Sequence, residues 1–409
     1  MNRKLCAPAR TVWLLLALSA FAAPALGEQI SQAGIDAATA AVQARIDSGL
    51  LAGGVVLITQ NGQTRKFEAL GYQDFENSVP MRTDTIFRIF SMTKPITGTA
   101  LMMLYDQGLF QLDDPVEKYL PQFVGLKVAK EDGPDGLPIT EPQAHRMTIR
   151  ELMSHSGGLT YGYFSQSQVD SLYVAANVLD RASTLQQMVD KLGRIPLKAQ
   201  PGSTWHYSIS VDVQGYLVEV LSGMTFDRYL QEKIFEPLGM PDTGFHVPAE
   251  KAPRLSRYYL SQNGQLSSAE QDEYLEKPAL FSGGGGLVST AADYLRFAQM
   301  HLNGGELDGV RILSTAAVDL MRSDQLPEGI AGLGGFLDPG NTFGLDFAVV
   351  NDSAKAFGQP EGVYWWFGIA GSWFWIDPVN DLVFIGMIQT RNVPQAIGLH
   401  RETKRLIYQ

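Results

Sequence analysis

Ser91-Met92-Thr93-Lys94-Pro95 places a hydroxyl three residues ahead of an amine and closes on a proline. Residues i and i+3 of a helix share a face, so the spacing predicts the Ser91 hydroxyl and the Lys94 amine within hydrogen-bonding reach. Pro95 locates the helix start, because proline lacks an N–H and fits only the first turn, where backbone donors are unpaired anyway. The helix is predicted to begin close to Ser91 and to stop at Gly108, after Tyr105-Asp106-Gln107. A serine at a helix N-terminus meets backbone N–H groups and a macrodipole that favour developing negative charge, as a nucleophile passing through an oxyanion needs. An N-cap serine beside a surface lysine gives the same pattern, so the rest of the chain decides between them.

The chain has 409 residues, enough for one large domain or two with a substantial core. Its 43 acidic and 32 basic residues leave a formal charge of −11, with no basic stripe for nucleic acid. Arg3, Lys4 and Arg10 precede an apolar run from Val12 to Ala23, and Ala25-Leu26-Gly27 supplies small residues before Glu28. Residues 1–27 therefore read as an export signal, cleaved to leave a periplasmic or secreted protein. The run is shorter than the roughly 20 apolar residues that span a bilayer, so no stable membrane span is expected. Cys6 is the only cysteine and lies in that leader. The mature chain would hold neither a disulfide nor a thiol nucleophile.

Val55 to Gln60, Asn61-Gly62 and Thr64 to Leu70 read as a β-hairpin on a type I′ turn. Trp373 to Ile376 and Leu382 to Ile385, joined by Asp377-Pro378-Val379-Asn380-Asp381, read as a second, and Ala396 to Tyr408 as a closing helix. Helical patterns lie between, at Thr184 to Leu192, Val211 to Leu221 and Phe226 to Ile234. This predicts an α/β fold with an antiparallel sheet built from both chain ends. Residues 28–88 and 282–409 are expected to form the sheet region, residues 89–281 a mainly helical one, and the active site to lie between them. Gly125 to Arg146 and Arg254 to Phe281 read as irregular. Gly283 to Gly286 lacks the Gly-Lys-Ser/Thr ending of a phosphate loop and reads as close backbone packing.

Gly-x-Ser-x-Gly with a distant Asp and His is absent, which leaves Ser91 with Lys94 as the candidate nucleophile and partner. Phe87-Arg88-Ile89-Phe90-Ser91-Met92-Thr93-Lys94 resembles the nucleophile segment of the serine β-lactamase and penicillin-recognising family, above all its class C branch. Further landmarks follow in the family's order: Leu112-Asp113-Asp114-Pro115, Thr148 to Gly158, Pro201 to Ser208, Pro237-Leu238-Gly239-Met240 and Gly284 to Thr290. Together they run over nearly all of the mature chain. Within the family the likeness is greatest to family VIII carboxylesterases of the butanediol diacrylate esterase type. The resemblance implies a β-lactamase/DD-peptidase-like fold and places Tyr207 at the family's second motif. A phenol, with a pKa of about 10, needs a nearby cation to act as a base. Either Lys94 or Tyr207 takes the Ser91 proton, and the pair can titrate as a unit.

Two departures from the family point to the substrate. The second motif reads Tyr207-Ser208-Ile209, with an aliphatic in place of the asparagine that helps hold a β-lactam amide. The third motif, Lys-Thr-Gly in β-lactamases, aligns with Trp366-Phe367-Gly368 when Asp377-Pro378 is the anchor. The cation for a substrate carboxylate is missing, so Ile209, Trp366, Phe367 and Gly368 are expected to line a site for neutral esters. Family VIII enzymes commonly carry Trp-Gly-Gly there, and Phe367 departs even from that in a way that narrows the pocket. The resemblance gives the oxyanion donors as the backbone N–H groups of Ser91 and Ile369.

The remaining candidates divide between function and packing. His155 reads as a structural histidine, His206 as a rim or surface residue, and Arg391 as a substitute carboxylate anchor or an exposed arginine. Tyr161, Tyr163 and Phe164 read as an acyl-pocket wall or as core. The six histidines show no metal-ligand spacing, and no cofactor is expected. These readings imply an exported serine esterase acting on a small-molecule ester through an acyl-Ser91 intermediate. The alternatives are an acyltransferase, a β-lactamase or DD-peptidase, and a non-catalytic binding protein on the same fold.

Overall fold

Asn61 and Gly62 take φ of +51° and +68°, the pair of left-handed conformations that a type I′ turn requires. They join strands Gly53–Gln60 and Gln63–Asp74. The second predicted hairpin is also present, as Trp373–Asp377 and Leu382–Ile388. Asp377 Oδ1 holds its turn by accepting from the N–H groups of Val379 and Asn380 at 2.9 and 3.0 Å. Gly53–Gln60 pairs antiparallel with Leu382–Ile388, Leu57 opposite Ile385, so the two ends of the chain meet at the sheet centre.

The computed structural model describes residues 29–262, 265–269, 272–330, 333 and 336–409. The predicted leader over residues 1–27 lies outside them. Among the described residues the sheet has eight strands, in the order Asn341–Phe343, Ala348–Val350, Tyr364–Phe367, Trp373–Asp377, Leu382–Ile388, Gly53–Gln60, Gln63–Asp74 and Val79–Pro80. The first two are three residues each, too short for a period-2 pattern to reveal them. Helices Gln32–Asp47, Ala291–Leu302 and Val393–Ile407 pack around the sheet. Gly53–Gln60 and Leu382–Ile388 are buried at every position, so both faces are covered.

The helix after Ser91 runs Thr93–Asp106, preceded by a 3₁₀ turn over Phe90–Met92, and Gly108 follows its end at φ +74°. Helices Leu185–Leu192 and Ser210–Ser222 match their predicted positions. Phe226–Leu230 continues through a π turn, Gln231–Phe235. The two stretches read as irregular each hold a hairpin: Lys127–Glu131 with Ile139–Pro142, and Tyr258–Gln262 with Gln265–Ala269. The first is largely solvent-facing and carries no apolar alternation to read.

Gly386 shows how tightly the central strands pack. It stands opposite Trp373, and a Cβ there would lie 2.3 to 2.5 Å from three atoms of the indole. We predict that Gly386→Ala costs roughly 1–3 kcal/mol of stability, the usual range for overpacking a core; urea unfolding with an unchanged midpoint would contradict this.

Candidate active site

Phe87–Arg88 pairs antiparallel with Val288–Ser289 and carries the chain into the 3₁₀ turn that presents Ser91. Phe90 sits at φ +42°, an uncommon conformation for an aromatic residue. Bonds on both sides hold it there, Ile89 N–H to Leu287 O at 3.1 Å and Met92 N–H to Ile89 O at 3.0 Å. The i, i+3 spacing then brings Lys94 Nζ to 3.2 Å from Ser91 Oγ. Tyr207, which enters helix Ser210–Ser222, donates its hydroxyl to the same oxygen at 2.6 Å. The three side chains meet although 116 residues separate Ser91 from Tyr207.

Lys94 is wholly buried. Its amine reaches Tyr161 Oη at 2.9 Å and Gly284 O at 2.6 Å, and lies 4.6 Å from the centre of the Tyr207 ring. Burial lowers its pKa to about 7, against the opposing pull of Asp212 and Asp346. Burial pushes the Tyr207 phenol well above its ordinary value. At neutral pH the phenol is therefore a hydrogen-bond donor, and the amine is the group able to accept a proton.

Ser91 opens onto a cavity of about 480 Å³, within the range of small-molecule sites. Tyr163, Phe164 and Phe336 form one wall, and the rings of Phe164, Phe336 and Tyr207 meet in tilted and edge-to-face contacts with centroids 5.0 to 5.7 Å apart. Leu179, Tyr274 and Leu280 face them. Tyr163, Phe164 and Ile369 stay 60%, 41% and 39% exposed at the mouth, a concentration of apolar surface that marks a binding cleft. A separate cavity of about 550 Å³ lies away from Ser91, with its charges paired, Lys277 to Asp227 and Lys251 to Asp242. Among the described residues no three side chains are grouped to hold a metal.

The expected substrate-contacting residues separate into two sets. Phe367 and Ile369, two residues apart, share the cavity side. Ile209 and Trp366 do not line the cavity. Ile209 is fully buried at the start of helix Ser210–Ser222, and the Trp366 ring packs 5.6 Å from Tyr207, so Ile209 is a core residue and Trp366 supports the tyrosine. Gly368 does not line the cavity either, and a Cβ there would lie 2.3 Å from Ile89 O. Its part is to let the strand end lie against the segment that carries Ser91.

His155 is buried, with Nδ1 bonded to Ser208 and Ser210 and its ring 5.0 Å from Tyr207. Burial lowers its pKa well below the usual histidine range, so it is a neutral packing residue. His206 and Arg391 lie outside the cavity lining, and the Arg391 guanidinium sits 5.8 Å over the Tyr258 ring. Tyr161, Tyr163 and Phe164 do line it. No sequence signal marks Asp212 or Asp346, both buried and both acting on the Lys94 charge. An aspartate in the first turn of a helix reads as a favourable end charge.

A helix-borne serine at the edge of an antiparallel sheet defines a class. The protein belongs to the beta-lactamase family, whose model matches residues 38–407. It is 32% identical over 352 residues to "Esterase EstB" of Burkholderia gladioli, covering 79% of this chain and 82% of that protein. It is 29% identical over 371 residues to "Lovastatin esterase" of Penicillium rubens, covering 85% and 91%. The solved structure of "EstCE1, a hydrolase with promiscuous acyltransferase activity" superposes with a TM-score of 0.79 at 26% identity, covering 92% of this chain and 99% of that one. The chain is a serine hydrolase.

The contact at Gly368 yields a prediction. Gly368→Ala should push Ile369 away from Ser91 and cost roughly a hundredfold in ester turnover, the loss expected on removing one oxyanion donor. Steady-state assay of the folded variant checks this, and wild-type turnover would refute it.

Proposed function

We propose that the protein is an exported serine esterase that hydrolyses neutral carboxylic esters through an acyl-Ser91 intermediate. The observation that carries the reading is the pair of contacts on Ser91 Oγ, Lys94 Nζ at 3.2 Å and the Tyr207 hydroxyl at 2.6 Å, beside an apolar cavity. Export rests on the residue pattern of the leader. The cleft between the sheet region, residues 28–88 and 282–409, and the mainly helical region, residues 89–281, is taken as the active site.

Ser91 Oγ bonds to the ester carbonyl carbon while its proton passes to Lys94 Nζ. The N–H groups of Ser91 and Ile369 receive the oxyanion. As the tetrahedral intermediate collapses, the C–O bond to the alcohol breaks, and the Lys94 ammonium returns the proton to the departing oxygen by way of the Tyr207 hydroxyl. Water then attacks the acyl-Ser91 carbonyl carbon as its proton passes to the same pair; the bond from that carbon to Ser91 Oγ breaks, Oγ takes the proton back, and the acid leaves. Loss of a cation at Trp366 and the aromatic walls favour an uncharged acyl group. The esterase names of two relatives agree with this reading. An alcohol replacing water would turn the same intermediate to acyl transfer, which the promiscuous acyltransferase activity of EstCE1 makes the second reading. Product analysis with an added alcohol separates the two.

Two measurements test the proposal. Ser91→Ala should abolish p-nitrophenyl butyrate turnover, and undiminished turnover would sink the assignment. The pH profile tests the base. Because Lys94 must be unprotonated to act and burial sets it to about 7, kcat/KM should fall tenfold per unit as pH drops below that value and level off above it. Lys94→Arg should be inactive throughout, since a guanidinium keeps its proton.

A further inference from the structure

The Gly284 carbonyl that holds Lys94 belongs to a loop which is itself tied down. Asp212, in the first turn of helix Ser210–Ser222 and fully buried, accepts two hydrogen bonds on Oδ1. They come from Ser282 Oγ at 2.5 Å and from Gly284 N–H at 3.0 Å. Gly284 is thus held on both sides of its α-carbon, its N–H on Asp212 and its C=O on Lys94 Nζ at 2.6 Å. No side chain fits between, because a Cβ on Gly284 would lie 2.3 Å from Asp212 Oδ2 and 2.7 Å from Tyr161 Oη. Asp212 Oδ2 has no hydrogen-bond partner among the described residues.

The groups facing the amine come from several elements. Ser91 lies on its own turn, Tyr161 follows helix Ile149–Met153, and Tyr207 and Asp212 belong to the helix Ser210–Ser222 and its entry. Asp346 lies in the sheet connection after Asn341–Phe343, and His155 packs behind Tyr207. The two carboxylates are not equivalent. Asp346 has one donor, Gln214 Nε2 at 3.1 Å, against two for Asp212, and hydrogen bonds from donors favour the ionised form.

We propose that Asp212 is a positioning residue for the Ser91 reaction, fixing the Gly284 carbonyl that holds Lys94 and supplying the negative charge against which the amine titrates. This rests on the reading of Ser91 as nucleophile and Lys94 as its base. Burial drives the Lys94 proton off and the Asp212 carboxylate draws it back, so their balance leaves the amine able to gain and lose a proton near neutral pH. Asp346, with the single donor Gln214, pulls the Lys94 proton the same way but more weakly.

The test is the rate at which a fluorophosphonate labels Ser91 as a function of pH, read by mass spectrometry on the mature chain, which needs no knowledge of the natural ester. Asp212→Asn keeps an oxygen for Ser282 and Gly284 and removes the charge. The ionisation seen in the wild type should then move down by about one to three pH units, the usual effect of one close counter-charge. Asp346→Asn should move it in the same direction by less. Gly284→Ala, which alters no charge but displaces the carbonyl, should slow plateau labelling at least tenfold. This variant decides the matter if Asp212→Asn fails to fold. An unmoved ionisation in folded Asp212→Asn, or wild-type labelling in Gly284→Ala, would overturn the proposal. A wild type whose Ser91 takes no label would instead overturn the nucleophile assignment beneath it.

Discussion

Burial of the Lys94 amine is the constraint on which the rest of the site depends. An ammonium withdrawn from water must find partners or lose its proton, and Lys94 meets both demands at once. Its three polar neighbours, Ser91 Oγ, Tyr161 Oη and Gly284 O, come from three separate parts of the chain. Each of those parts is anchored elsewhere. Ser91 hangs on the Phe87–Arg88 pairing, Tyr161 on the aromatic wall, and Gly284 on Asp212. Reactivity at one hydroxyl is thus a consequence of how well three distant segments pack.

The sheet makes that packing possible by closing the chain on itself. With Gly53–Gln60 against Leu382–Ile388 at the centre, the strand Tyr364–Phe367 and the turn after it come to rest against Ile89. Glycines stand where backbones press together, Gly368 on Ile89 O, Gly283 on Val211 O and Gly386 under Trp373. The run Gly283 to Gly286 is therefore a packing device, as its lack of a phosphate-loop ending predicts.

Local chemistry was readable. The Asn61-Gly62 turn, the helix that follows Ser91 and the hairpin across Asp377 each depend on residues within a few positions of one another, and each lies where predicted. The hairpins at Lys127–Glu131 and Tyr258–Gln262 were not readable. The first is largely exposed and has no apolar alternation, and in the second the adjacent buried Tyr258 and Tyr259 break the period of two. Ile209 and Trp366 mark a second limit. Their identities record what is absent from the family motifs, but Ile209 is buried at the start of helix Ser210–Ser222 and Trp366 packs on the Tyr207 ring, which follows from tertiary packing and not from the motif. A motif position fixes a place near the site, and neighbours decide whether the side chain reaches the ligand.

The sequence by itself determined the helical register that brings Ser91 and Lys94 together, the antiparallel sheet from both chain ends and the family to which the chain belongs. Only the tertiary structure set the proton affinities of Lys94 and Tyr207 apart. Lys94 and Tyr207 have ordinary pKa values of about 10 in water, and nothing in their identities separates them. The same burial moves them apart, lowering the amine to about 7 and raising the phenol. Removal of water disfavours a charged form, which is the protonated state of an amine and the deprotonated state of a phenol.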